Sequence, residues 1–155
     1  HFLHMDKAYR VDGVLGMKTD TFDVNGRVIK KDHSAVTREQ LQATLEDFKG
    51  QVWQVPPPYS AKKIAGRKAY ELARRGLSVD MPAREVNVYA IELVAFRYPQ
   101  FALMCVVSSG FYVRSLVHDV GVELGVGAAV VDVRRTRVGS YGIDQARPLH
   151  ELLGS

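Results

Sequence analysis

The feature that most limits the folds open to this chain is a change of period in FALMCVVSSGFYVRSLVHDVGVELGVGA, Phe101 to Ala128. Phe101 to Val107 is apolar at almost every position, which suits a strand covered on both faces. After SSGFY the spacing switches, and Val113, Leu116, Val117, Val120 and Leu124 form a stripe at the helical period. Gly125 supplies the stop, because glycine accepts the left-handed C-cap without a Cβ penalty. A covered strand followed by a one-sided helix calls for a sheet with a helix laid on it.

The rest of the chain fills in that sheet. Tyr9, Val11, Gly13 and Leu15 alternate with Arg10, Asp12 and Val14, a strand pattern. Asn25-Gly26 in TDTFDVNGRVI lies between two extended runs and predicts a tight hairpin turn at positive φ. Thr37 with Gln40 is a capping box, followed by Leu41, Leu45 and Phe48 at helical spacing and Gly50 as the stop. The prolines of QVPPPYSAKK impose an extended connection. Gly66 and Gly76 then bracket a second helix, with Ala69, Leu72 and Ala73 as its stripe.

From Arg84 to Tyr98 the pattern returns to strand. Val86 and Val88 share one parity and Ile91, Leu93 and Ala95 the other, so a bulge is expected near Tyr89–Ala90. Val131 and Val133 alternate with Asp132 and Arg134 in a further strand, and RPLHELLG reads as a short helix. Strands and helices mix without strict βαβ alternation. The predicted class is α+β, a mixed and mainly antiparallel sheet with flanking helices.

With 155 residues, 46% hydrophobic and 25% charged, one domain or a compact two-lobed unit with a sizeable core is expected. The single Cys105, inside FALMCVV, rules out a disulfide framework and reads as a buried small hydrophobe. No apolar run reaches membrane-spanning length. The net charge is +4, with basic residues clustered from Lys62 to Arg75 and again at Arg134, Arg135 and Arg137. Two such clusters beside aromatic and glycine residues point toward RNA or DNA. His1 and His4 have no acid or cysteine cluster to complete a metal site, and Gly125-Val126-Gly127 lacks the lysine of a phosphate loop. His118 and Asp119 read as the solvent side of the Val113–Leu124 stripe. Asp20 and Asp23 read as Asx-turn residues.

Arg114 is harder to place. With Ser108 or Ser109 as the cap it falls in the first helical turn, where the backbone dipole disfavours a cation. A carboxylate or phosphate at the same helix end would offset that cost, and the guanidinium fork suits either.

These residues carry a resemblance. The stretch SSGFYVRSLVHDVGVELGVGAAVVDVRRTRVG is similar to the TruB family of tRNA pseudouridine synthases, which act at position 55 in the T-loop. Three further stretches agree in order: KAYRVDGVLGMKTDTFDVNGRV, QVPPPYSAKKIAGRKAYELARRG and MPAREVNVYAIEL. The resemblance implies that residues 1–155 are part of a pseudouridine synthase catalytic domain. Tyr9 would stack on the flipped-out uracil, and Tyr112 would help remove the C5 proton. Arg114 would pair with the catalytic aspartate, and Val133 would floor the pocket. Tyr59, Lys62 and Lys63 would lie near the substrate cleft, and Arg67 and Lys68 would touch the RNA backbone. The N1–C1′ bond breaks and the uracil rejoins through C5 without leaving the pocket, so no metal or organic cofactor is implied. The partner would be the T-arm stem-loop of tRNA, the protein a monomer without membrane attachment, and the compartment the cytoplasm, or an organelle of a eukaryote.

One departure matters. The family's nucleophilic aspartate belongs to a GxLDxxAxG-type segment upstream of Tyr9, and the eight residues HFLHMDKA contain no such motif. Asp6 is not assigned that role. The expectation is therefore a catalytic domain whose guanidinium awaits an acid from outside these residues, and which is inactive by itself. The RNA-binding PUA domain that often follows in this family is also not expected here. A noncatalytic tRNA-binding or tRNA-folding module on the same scaffold is the alternative. Retention of Tyr9, Tyr112 and Arg114 together favours the enzyme, since holding RNA does not require an arginine aimed at a carboxylate.

Overall fold

The computed structural model describes residues 6–57 and 82–137, together with the backbone of a small ladder at 63–64 and 67–68. Its main sheet contains β1 (Lys7–Leu15), β4 (Gly50–Gln54), β7 (Arg84–Arg97), β8 (Gln100–Val107) and β9 (Ala128–Thr136), in the order β4-β7-β8-β1-β9. Every neighbouring pair in it is antiparallel. β2 (Met17–Thr19) and β3 (Val28–Lys31) form a separate ribbon, as do β5 (Lys63–Ile64) and β6 (Arg67–Lys68). The α+β expectation holds.

Two helices among the described residues, α1 (Arg38–Glu46) and α2 (Val113–Leu124), share one core with the sheet. Leu41 and Leu45 of α1 belong to one core cluster with Val11, Leu103, Cys105 and the α2 stripe of Leu116, Val117 and Val120. Each side chain of this size, once fully buried, contributes roughly 1.5–3 kcal/mol. Cys105 is fully buried, and burial pushes its thiol up to about 12, so it packs as a hydrophobe. No helix among the described residues is long and apolar enough to cross a membrane.

Local signals account for much of this. Thr37 Oγ1 accepts from the Gln40 amide at 3.1 Å while Gln40 Oε1 accepts from the Thr37 amide at 2.8 Å, the reciprocal capping box. α1 ends at Asp47, though, and Gly50, with φ 94°, opens β4 rather than stopping the helix. The β1–β8 ladder runs without a shift, whereas β7 slips against β8 between Val88 and Ala90, the expected bulge, and again between Leu93 and Ala95. α2 ends at Gly125 in the left-handed region. Gly121 is required because a Cβ there would strike the backbone of Gly127 and Ala128, where α2 presses on the start of β9.

Arg67–Lys68 is strand, contrary to a helix beginning at Gly66. The remainder of that predicted helix, His1, His4 and RPLHELLG lie outside the described residues.

Candidate active site

The first turn of α2 lacks a side-chain cap. Tyr112 is the N-cap residue, and the expected serine cap does not form. Ser108 is engaged elsewhere: its Oγ accepts from the Asn87 amide at 2.9 Å, and its own amide donates to the Asn87 carbonyl at 3.0 Å. Gln54, at the end of β4 and only 2% exposed, holds Tyr112 instead. Its Oε1 accepts from the Tyr112 amide at 2.9 Å, and its Nε2 donates to the Tyr112 carbonyl at 3.1 Å. Ser115 Oγ adds a bond to the Val55 carbonyl at 2.7 Å. A buried amide with both ends satisfied fixes the helix start without bringing a charge into the core.

The loop between β2 and β3 closes the other side. Arg114 Nη1 donates to the Thr21 carbonyl at 3.1 Å and meets Asp23 Oδ2 at 3.4 Å. The acid awaited by Arg114 was expected from outside these residues; a carboxylate of this chain already stands beside it. Asp23 does the expected turn work as well, accepting from the Asn25 amide through Oδ1 at 3.0 Å, and Asp20 Oδ1 accepts from the Arg27 amide at 2.8 Å. Both Arg114 contacts use Nη1. Among the described residues nothing accepts from Nε or Nη2, so that edge of the fork can take a second anion.

The loop also differs from the tight Asn25-Gly26 turn. The connection from Thr19 to Val28 is wider, and its left-handed residue is Phe22, φ 69°, rather than Asn25 or Gly26. The Val24 amide donates to the Val130 carbonyl at 2.8 Å and the Val130 amide to the Phe22 carbonyl at 3.0 Å, fastening the loop to β9. Phe22 stacks on His118, with ring centroids 3.7 Å apart and planes 9° from parallel. His118 is therefore not simply on a solvent face; burial and then Lys18 lower its pKa. Asp119 is half-buried too, and desolvation raises its carboxyl to about 6.

Between the two walls lies a cavity of about 400 Å³, lined by Tyr9, Asp23, Tyr112, Arg114, Asp132 and Val133 among others. Tyr9, Tyr112, Arg114 and Val133, singled out in the sequence, thus converge from β1, α2 and β9. Tyr9 sits opposite Cys105 and Arg135 in the sheet; burial raises its pKa, with Arg135 opposing, so the phenol stays protonated at neutral pH. Tyr59 and Lys62 lie outside the described residues, and for Lys63, Arg67 and Lys68 the backbone pairs Lys63 with Lys68 and Ile64 with Arg67. Gln54, Ser115 and Phe22 were not singled out. Gln54 and Tyr112 are too far apart in sequence for spacing to connect them.

The family model described as TruB family pseudouridylate synthase (N terminal domain) matches residues 1–113. A second, for the tRNA pseudouridylate synthase B C-terminal domain, matches residues 114–155. The tRNA pseudouridine synthase B of Aquifex aeolicus (strain VF5) is 38% identical over 99% of this chain and 54% of its own length. That of Stutzerimonas stutzeri (strain A1501) is 43% identical over 98% of this chain and 50% of its own. The chain spans about half the length of these curated relatives. A solved structure described as a Cbf5-Nop10-Gar1 complex overlays with a TM-score of 0.60 at 26% identity, covering 96% of this chain and 35% of that one. The archaeal box H/ACA sRNP Nop10-Cbf5 complex, TM-score 0.55 at 24% identity over 96% of this chain and 33% of that one, shares the fold.

Proposed function

The chain belongs to the TruB family of pseudouridylate synthases, and we propose that it forms the uridine-handling part of an enzyme that isomerises uridine to pseudouridine at position 55 of the tRNA T-loop. The observation that carries this reading is Arg114: it stands in the wall of a cavity shared with both tyrosines, with one edge of its guanidinium still open.

The chemistry proceeds from those positions. A uracil turned out of its stack costs a few kcal/mol, which stacking on Tyr9 partly offsets. A carboxylate at the ribose attacks C1′ or takes a proton from C2′, and the open edge of Arg114 holds it ionised and in place. Asp23 keeps the guanidinium aimed while that happens. The freed uracil rotates against Val133 and its C5 bonds to C1′, displacing the carboxylate from C1′ or, on the other route, with the proton returned to C2′; the C5 proton then leaves with the help of Tyr112. The attacking carboxylate comes from a GxLDxxAxG-type segment of the same protein.

Residues 1–155 act as part of one catalytic domain. The boundary between the two matched family models falls in the first turn of α2, yet Phe111, Val113 and Leu116 on its two sides share one core, which supports a single unit. Its RNA partner is the T-arm stem-loop, met by a monomer in the cytoplasm, with Tyr59, Lys62, Lys63, Arg67 and Lys68 contributing contacts.

The test is direct. The full-length protein, incubated with T-stem-loop RNA, forms pseudouridine; Tyr112→Phe slows the reaction by about a hundredfold, the scale of a lost general acid or base. Full activity in both Tyr112→Phe and Arg114→Ala would remove these role assignments, and absence of product from the unaltered protein would remove the enzyme reading. A noncatalytic protein would instead bind the RNA, with affinity falling as salt rises, and leave every uridine unchanged.

A further inference from the structure

Phe22 lies between the two groups that grip Arg114, the Thr21 carbonyl and the Asp23 carboxylate, and its backbone is left-handed at φ 69°. A bulky side chain seldom adopts that conformation, and it persists only where the surroundings over-determine it. Two contacts do so here. Its carbonyl accepts from the Val130 amide at 3.0 Å, and its ring stacks on His118 at 3.7 Å. His118 is four residues beyond Arg114 on α2, so both side chains project from the same helix face. Neither ring lines the cavity.

We infer that the Phe22–His118 stack is a positioning device: it locks the loop onto α2 so that the Thr21 carbonyl and Asp23 Oδ2 stay aligned with Arg114 Nη1. The inference rests on the proposed isomerase reading and deepens it. Without the stack, the left-handed residue has a more comfortable conformation to relax into, and relaxation moves the two acceptors on either side of it. The guanidinium then loses the fixed direction in which its open edge meets the second acid. RNA contacts made elsewhere are untouched, so the effect falls on the chemical step and not on binding.

Three variants of the full-length protein test this: Phe22→Ala, His118→Leu, which fills space without a flat ring, and His118→Phe, which keeps one. Single-turnover pseudouridine formation in T-stem-loop RNA falls about tenfold in Phe22→Ala and His118→Leu, well inside the hundredfold that a misplacement of about 1 Å can cost. RNA affinity stays within about twofold in all three, and His118→Phe keeps the rate within about threefold of the unaltered protein. Should Phe22→Ala fail to fold, the His118 pair decides. Equal rates for the Leu and Phe variants, or a rate loss matched by an equal loss of affinity, overturns the inference. Amide exchange supplies a readout free of turnover: the Val24 and Val130 amides, which bridge loop and β9, exchange about tenfold faster in His118→Leu than in His118→Phe. If the unaltered protein makes no pseudouridine, the isomerase reading fails by itself, and unchanged exchange at those amides sinks the positioning role.

Discussion

The first turn of α2 is held from two sides, and the two holds are made of different material. On the β4 side, Gln54 is buried and neutral and meets backbone groups of Tyr112 at both ends of its amide. On the loop side, Arg114 and Asp23 are charged, with 28% and 24% of their side chains exposed, and the neighbouring backbone carries a left-handed Phe22. A buried, fully paired amide is rigid and costly to disturb. An ion pair that water still reaches, with its partners 3.4 Å apart, contributes little net stability, because water screens it. The contrast separates the part of the site that maintains the fold from the part free to serve chemistry.

Four measurements sharpen or break that contrast. The largest effect belongs to Arg114→Ala in the full-length protein: pseudouridine formation drops by about 10²–10³, the scale of one lost charge-stabilising group. Its urea midpoint stays almost unchanged, whereas a matching loss of stability would put Arg114 on the structural side. Gln54→Ala behaves the other way. It strands the Tyr112 amide in the interior at about 1–3 kcal/mol, while the Tyr112 carbonyl keeps the bond from the Leu116 amide at 3.1 Å; the loss is read as a lowered urea midpoint, with the rate of the folded fraction little altered. Ser115→Ala leaves the Val55 carbonyl without its hydroxyl donor and costs about 1 kcal/mol.

The smallest effect concerns Asp119, further along the same helix. Desolvation raises its carboxyl to about 6 in the folded protein, so folding favours the protonated form. Its contribution is complete below the ordinary carboxylate range and declines as pH rises from about 4 to about 6. Asp119→Asn removes that decline and raises the melting temperature at pH 7 by about 2–4 °C, a gain of about 1 kcal/mol after allowing for the water that still reaches the carboxyl. Near pH 4 the variant and the unaltered protein melt together. His118 has the opposite sign, its pKa being lowered, so its own contribution is lost as pH falls; the comparison at position 119 isolates one from the other.

What could be read in advance follows the distance between partners. The capping box at Thr37 and Gln40 was legible because both members lie within one turn. The β7 bulge showed itself as a parity switch between Val88 and Ile91. β9 was legible only from Val131, although it begins at Ala128, because Ala128, Ala129 and Val130 are all buried and show no alternation. The turn at Asn25-Gly26 was legible in part: the Gly26 amide does close a turn on the Asp23 carbonyl at 3.2 Å between β2 and β3, but tertiary bonds to Val130 and Arg114 widen the loop around it, and no local propensity marks a left-handed phenylalanine. For the site, Tyr9, Tyr112, Arg114 and Val133 entered through resemblance to a family, since nothing in their spacing reveals that β1, α2 and β9 share a cavity. Asp23 carries the local signature of a turn residue, and nothing within its own loop points to Arg114, 91 residues away. Gln54 was invisible, being joined to Tyr112 by the fold alone.

The pairing of Gln54 with Arg84 has a consequence for how such a protein can change over time. The backbone departs from the sheet at one rung and re-enters at the rung directly opposite, so the ladder fixes both ends of the intervening chain whatever its length. Lengthening it costs only the slow logarithm of loop closure, about 0.6 kcal/mol for each doubling. The chain between them can therefore change in length while the grip on the start of the helix stays where it is.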